Sequence, residues 1–395
     1  RRIFCLGLVL VGITSLLLPW APGFGWLILL RVLQAFGTSA AYPAGLALFR
    51  ARTRQAMGEG AQPPAAVLGT ISMTSNVSAA LGPALGGALL LVANWQAIFL
   101  VNVPLVVVGL ILALLLLPKD RPVHEEDLSR RYPREVSFGQ MVRALDVPGV
   151  LLFSGTLTSL LVFLLALSGN PPWLLLPVFL VLLLLLLFRE YKARTPFFNV
   201  RMLWSNRELV KVYVQFAAVN VVYYSLFFGL PLWLEKGRGF SPALSGLLML
   251  PFTGMAVLAT FATIQLLRRS GIRRALVLGA LALIGGTLLL LFFESDSPVV
   301  VLLAVIVILG IPNGLQSLSL QTALYEAAPA SEMGVAAGQF QTFRYIGSIL
   351  STSLLGLMFG GRMTTGGLHM FAVALACISV VLLVGAVRMR GPRVV

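Results

Sequence analysis

Two arginines stand where charge is costly. Arg31 lies in RVLQAFGTSAAYPAG and Arg344 in GQFQTFRYIGS, each inside an apolar run otherwise free of charge. On insertion scales a charged side chain at the centre of a membrane helix costs roughly 2.5–3.5 kcal/mol, so a residue kept there marks a candidate site. Helical spacing places Gln34 and Thr38 on the face of Arg31, and Gln341 and Ser348 on that of Arg344. Two readings stand for each arginine. It lines a substrate or proton path, or it is structural, capping neighbouring helix ends or snorkelling to the interface.

Further polar stripes occur in two later runs. Asn220, Tyr223 and Tyr224 cluster within one helical turn, with Gln215 a turn earlier. Asn313 and Gln316 share a face beside Pro312 and Gly314. Amides of this kind bond neighbouring membrane helices at about 0.6 kcal/mol each, or they line a wet cavity; spacing leaves both open. All 14 Asp and Glu fall in loops or at the ends of apolar runs. No carboxylate therefore sits at mid-membrane to carry a proton or attract a cation.

Other chemistries lack their residues. No GxxxxGK[ST], HExxH or GxSxG occurs, so the chain carries no ATPase site and is not expected to be an enzyme. No TVGYG-type filter supports a channel. Cys5 and Cys377 lie in apolar runs, His124 lies in VHEED, which is not a zinc helix motif, and His369 stands alone, so neither a metal site nor a disulfide framework is expected.

These residues must be carried by membrane helices. The chain is 58% hydrophobic and 11% charged, and about 20 apolar residues span a bilayer as a helix. The expected fold class is an all-α polytopic membrane protein. Twelve spans are expected, near 3–20, 24–49, 65–93, 98–117, 147–168, 173–190, 209–234, 242–267, 273–293, 299–322, 334–359 and 367–389. If the Arg1 end is cytoplasmic, all 29 Lys and Arg except Arg31, Arg344, Lys236, Arg238 and Arg362 fall on the cytoplasmic side. By the positive-inside rule both ends are then cytoplasmic. The net charge of +15 follows from that bias and requires no nucleic-acid partner. All six tryptophans fall near span ends, where their rings favour the headgroup level.

Three regions are expected: a helical bundle over 1–118, connectors and an inserted two-helix hairpin over 119–208, and a six-helix bundle over 209–395. Arg1-Arg2 lead straight into an apolar run without a signal-peptide cleavage site, so the chain reads as a fragment with spans missing upstream. One further stretch, SAALGPALGG, gathers Ser78, Gly82, Pro83, Gly86 and Gly87 inside an expected span. In a soluble helix each Gly would cost about 1 kcal/mol and the Pro about 3 kcal/mol. In lipid, small residues let helix backbones approach and neighbours re-satisfy the carbonyl that Pro frees.

Taken together, these motifs resemble the major facilitator superfamily, and within it the fourteen-span drug:proton antiporters of the EmrB/QacA type. RVLQAFGTSAAYPAGLALF is similar to that family's fourth-helix motif, with Arg31, Gln34 and Gly37 matching. LGPALGG and the later NWQAIFLVNVP are similar to its fifth-helix antiporter motif and to the loop and helix after it. This chain keeps Gly69, Gly82, Pro83, Gly86 and Gly87 of that motif, with Ser78 where a Gly would stand. The hairpin at 147–190 resembles the insertion that separates fourteen-span from twelve-span members. IQLLRRSGIRR is similar to the cytoplasmic loop motif of the second half in Arg269, Gly271 and Arg273, but has Ile264 and Arg268 in place of Gly and Asp. NWQAIF has Gln96 where an Arg is usual.

The resemblance implies that 1–117 are the third to sixth of about fourteen spans, and that 24–49, 209–234 and 299–322 line a central cavity. It implies a secondary exporter of amphiphilic compounds in the bacterial inner membrane, working by alternating access and proton antiport. The proton gradient would be its energy source, with no cofactor. Arg31, Gln34, Thr38 and Arg344 would lie on the proton or substrate path. Gln215, Asn220, Tyr223, Tyr224, Asn313 and Gln316 would face substrate, and the fifth-helix motif would act as hinge and seal. Expected partners are membrane lipids, amphiphilic substrates and protons; a periplasmic adaptor protein is a candidate that no residue here shows. A proton-uncoupled facilitator or a lipid or siderophore exporter is the alternative, motivated by the missing carboxylate. A non-transporting scaffold would lack reason for the polar stripes.

Overall fold

In the computed structural model, residues 1–39, 92–117, 146–166, 172–193, 200–329, 333–359 and 364–389 are described, with Ser78, Gly82, Leu85, Gly86, Leu89 and Leu90 between them. All the regular elements among them are helices. They are α1 (Arg2–Leu17), α2 (Phe24–Ser39), α3 (Asn102–Leu116), α4 (Val147–Ala166), α5 (Leu175–Lys192), α6 (Val200–Ser205), α7 (Arg207–Lys236), α8 (Pro242–Leu248), α9 (Leu250–Leu289), α10 (Val299–Ala327), α11 (Met333–Phe359) and α12 (Thr365–Arg388), with short turns between some of them. Helices are the outcome that a Leu- and Val-rich chain requires in lipid, because every backbone N–H and C=O must be satisfied within the segment. Seven helical stretches of the described residues are long and apolar enough to cross a membrane. Their outer faces carry bare aliphatic side chains, such as Leu115 at 76%, Val300 at 75% and Val381 at 67% exposure. A surface of that kind is suited to hydrocarbon and not to water.

The fold is an all-α polytopic membrane fold. The expected span at 65–93 and the second half of 24–49 lie largely outside the described residues. The expected pair 242–267 and 273–293 appears as one helical stretch, α9 with α8 before it, broken at Gly271, whose φ is 76°. A residue with a Cβ is disfavoured there, and the glycine turns one span into the next. Arg268, Arg269, Arg273 and Arg274 are all exposed around this break.

Two compact units divide the chain, Arg1–Arg134 and Glu135–Val395. In the first, α1 packs against α3. Arg1 donates from Nη1 and Nη2 to the carbonyls of Leu117 (3.2 Å) and Leu114 (2.9 Å), capping the C-terminal end of α3. Gly37 of α2 lies so close to α1 that an added Cβ would fall 2.8 Å from the Gly7 carbonyl.

In the second unit, α7 packs against α11, α9 against α10 and α12, and the α4–α5 hairpin against α11 through α4. The hairpin thus belongs to the same compact unit as the later helices. Its base is stapled by Asp146. The carboxylate accepts from the Gly149 N–H, capping α4, and from Nε of Arg189 on α5 at 3.1 Å. The core is aromatic and aliphatic, with Trp233, Tyr213, Phe252, Phe293 and Phe371 fully buried.

Close helix approach is concentrated at α10. Gly310 and Gly314 flank Pro312 and press on the backbone of α9 at Phe252, Ala256 and Thr260, where a Cβ would overlap backbone atoms. Without a hydrophobic force between helices in lipid, such small-residue contacts supply the association by van der Waals packing.

Candidate functional site

The site in the second unit is built on three helices. Arg344 of α11 is half-buried, and its Nε and Nη2 both donate to the Tyr224 hydroxyl of α7, at 3.2 and 3.0 Å. Gly347, one turn on, explains how α11 comes near enough. It lies against the Ala217 carbonyl and the Asn220 Cβ, leaving no room for a side chain of its own. Tyr224 belongs to an aromatic wall. Its ring stacks on Phe228 at 5.8 Å and meets Tyr223 edge-on at 5.2 Å, while Tyr223 stacks on Phe252 of α9 at 5.5 Å. A cation, a phenol and an apolar wall thus share one place inside the spans, a surface able to hold an amphiphile by both its ends.

The first unit has a second such place. Arg31 lies over the Phe99 ring, 4.9 Å from its centroid, and its Nη1 donates to Gln34 Oε1 at 3.2 Å. Gln34 is buried and donates from Nε2 to the Ser15 hydroxyl of α1 at 2.7 Å. The stripe expected from spacing is thus partly real: Arg31 and Gln34 are bonded. Thr38 instead turns its hydroxyl to the carbonyls of Gln34 and Ala35 on its own helix. Beside Arg31 lies a cavity of about 450 Å³ walled by Leu18, Phe24, Leu27, Ile28 and Phe99.

The remaining amides hold helices together. Gln215 donates to the Leu382 carbonyl of α12 at 3.1 Å and Gln316 to the Leu276 carbonyl of α9 at 3.2 Å. Asn220 donates to Phe216 of its own helix at 2.7 Å. Gln215 and Asn220 are buried and Gln316 is fully enclosed, so in this conformation their contacts are with protein. Asn313 is half-buried and accepts from the Ser317 hydroxyl. Of the fifth-helix motif, Gly69, Pro83 and Gly87 lie outside the described residues. Ser78, Gly82 and Gly86 are helical, and a Cβ on Gly82 or Gly86 would meet nothing within 4 Å among the described residues. The close backbone approach expected of these two glycines is therefore not made to any described helix.

Sequence reasoning missed Ser15, Phe99 and the Asp146–Arg189 staple. Only the last leaves a local signal, an Asp three residues before a Gly at the start of an apolar run. Among the described residues no group of His, Cys, Asp and Glu could hold a metal ion.

The described residues thus form a polytopic helical fold with cations and aromatic rings inside its spans. The Major Facilitator Superfamily profile matches residues 1–352. The chain belongs to that superfamily and is a transporter of its type, not an enzyme. An MFS-type transporter of Bacillus subtilis (strain 168), YwoD, described as uncharacterized, is 34% identical over 373 residues, covering 94% of this chain and 78% of its own. MdtD of Salmonella paratyphi A, a putative multidrug resistance protein, is 28% identical over 404 residues, covering 98% of this chain and 80% of its own. Among solved structures, a POT family transporter in complex with 5-aminolevulinic acid superposes with a TM-score of 0.65 at 14% identity, over 98% of this chain and 82% of that one. The nucleoside transporter NupG does so with a TM-score of 0.57 at 14% identity, with the same coverage. At these identities the solved structures share the fold alone.

Proposed function

We propose that this protein exports amphiphilic compounds across the plasma membrane in exchange for protons, in the manner of the EmrB/QacA-type drug antiporters, with its described ends facing the cytoplasm. The observation that carries the reading is the Arg344–Tyr224 pair set in an aromatic wall on α7, α9 and α11. A guanidinium within a span is retained at a cost, and the rings beside it would receive an apolar tail with little demand on its shape. The resemblance to MdtD supports the multidrug part of the reading. Protons would move by way of Arg31 and Gln34, and transport would proceed by alternating access.

The test uses purified protein in proteoliposomes loaded with a lipophilic dye. Dye movement that requires a proton gradient, and that collapses with an uncoupler, is the expected result. Movement indifferent to the gradient rejects antiport. It would favour the second reading, an uncoupled facilitator, which has an observation of its own: every acidic residue lies in a loop or at a span end.

A further inference from the structure

We infer that the Arg344 site receives the anionic head group of its substrate, so that this transporter selects amphiphiles bearing a carboxylate, phosphate or sulfonate over lipophilic cations. The inference rests on the export reading above and narrows its substrate class.

Three observations carry it. The first is the sign of charge within the spans. Arg31 and Arg344 are their cations, and none of the 14 Asp and Glu lies between the span ends. A lipophilic cation reaching either arginine would meet like charge, and the low dielectric would strengthen that repulsion.

The second is the state of the Arg344 fork. The Nε and Nη2 edge is the one that matches a carboxylate or phosphate in two parallel bonds. Here it converges on a single neutral oxygen, the Tyr224 phenol. A guanidinium has five N–H donors and no acceptor. One phenol oxygen neither neutralises it nor uses all its donors, and no carboxylate pairs with Arg344 among the described residues. An incoming anion would supply both charge and acceptors. The phenol O–H, free to donate once its oxygen accepts from the guanidinium, would add a further bond.

The third is the placement of the apolar wall. Tyr223, Phe227 and Phe228 extend from Tyr224 through ring contacts along α7. A head group at Arg344 would lay its tail along them. The first unit independently repeats the combination. Arg31 is the charged member of the lining of a 450 Å³ cavity whose other described walls are apolar or aromatic.

The experiment measures equilibrium binding to the purified full chain, without any gradient. The probes are a dansyl-labelled undecanoate and a dansyl probe of the same tail ending in trimethylammonium. Saturable binding of the undecanoate, with the ammonium probe at least tenfold weaker, is expected. Arg344→Gln should weaken undecanoate binding by about 10- to 100-fold, the range for losing a charge-assisted bond, without strengthening the ammonium probe to match. Should that variant not fold, Arg344→Lys carries the test. It keeps the charge but loses the fork, and should bind the anion several-fold more weakly while still rejecting the cation.

Equal or tighter binding of the ammonium probe overturns the inference, as does unchanged anion binding in whichever variant folds. The export reading has a separate fate. Loss of gradient-driven dye export leaves a positive binding result standing, whereas intact export of cations with no anion binding removes only the charge assignment.

Discussion

The two units hold a charged residue within the membrane in different ways. In the first, Arg31 is tied to its own helix through Gln34, and Gln34 is tied to α1 through Ser15, so the cation sits at the end of a relay with Phe99 beneath it. In the second, Arg344 reaches directly across from α11 to a phenol of α7, and that phenol is fixed by ring contacts. One arrangement anchors the cation locally and leaves a cavity beside it; the other uses the cation to join two helices. Glycine use differs as well. Gly310 and Gly314 are pressed onto α9, whereas no described atom lies within 4 Å of a Cβ built on Gly82 or Gly86. A similar sequence feature, an arginine in a span, therefore serves different mechanical ends in the two units.

The largest expected effect tests the glycines. Gly314→Leu would drive a side chain into the α9 backbone, and overpacking of this kind costs about 3 kcal/mol or more. Folded yield by gel filtration should collapse. Gly86→Leu should leave yield intact while impairing coupled export, and equal loss in both would erase the contrast. Next come the arginines. Arg344→Gln removes the α7–α11 link and should cut transport about tenfold or more while lowering the melting temperature. Arg31→Gln should impair transport with a smaller thermal shift, because Gln34 keeps its bond to Ser15. If the thermal shifts are alike, the local and cross-helix anchors are not distinct.

Gln34→Leu strands both Arg31 and Ser15, and each unsatisfied group costs about 1–3 kcal/mol. A melting shift larger than that of Arg31→Gln would confirm the relay. Tyr224→Phe removes one hydrogen-bond acceptor and keeps the ring, for about 1 kcal/mol. The smallest effect belongs to Thr38→Val. That hydroxyl bonds only carbonyls of its own helix, and surface changes of this kind fall within about 0.5 kcal/mol. A large loss of transport in Thr38→Val would return this residue to the path that spacing assigned it.

Much of the fold was legible because its cause is local. Runs of Leu and Val long enough to cross a bilayer state their own helices, and Gly271 with four arginines around it marks a break that the backbone confirms at φ 76°. Part of the candidate site was legible for the same reason, since Arg31 and Gln34 are one helical turn apart and bonded. Thr38, placed on that face, spends its hydroxyl on its own helix, a competition that side-chain spacing alone does not register. The Arg344–Tyr224 bond joins residues 120 positions apart, so no periodicity could reveal it. For Gln215 and Gln316 spacing leaves helix bonding and cavity lining both open, and each bonds a carbonyl on another helix.

The sequence by itself determined that this is a helical membrane transporter of the major facilitator type, because hydropathy, charge bias and motif spacing are properties of consecutive residues. It also determined that the charges within the spans are arginines. Which of the polar residues would face a ligand and which would face another helix was decided only in the tertiary structure. In lipid a polar side chain takes whichever partner comes within hydrogen-bond reach, and helix packing alone sets that distance.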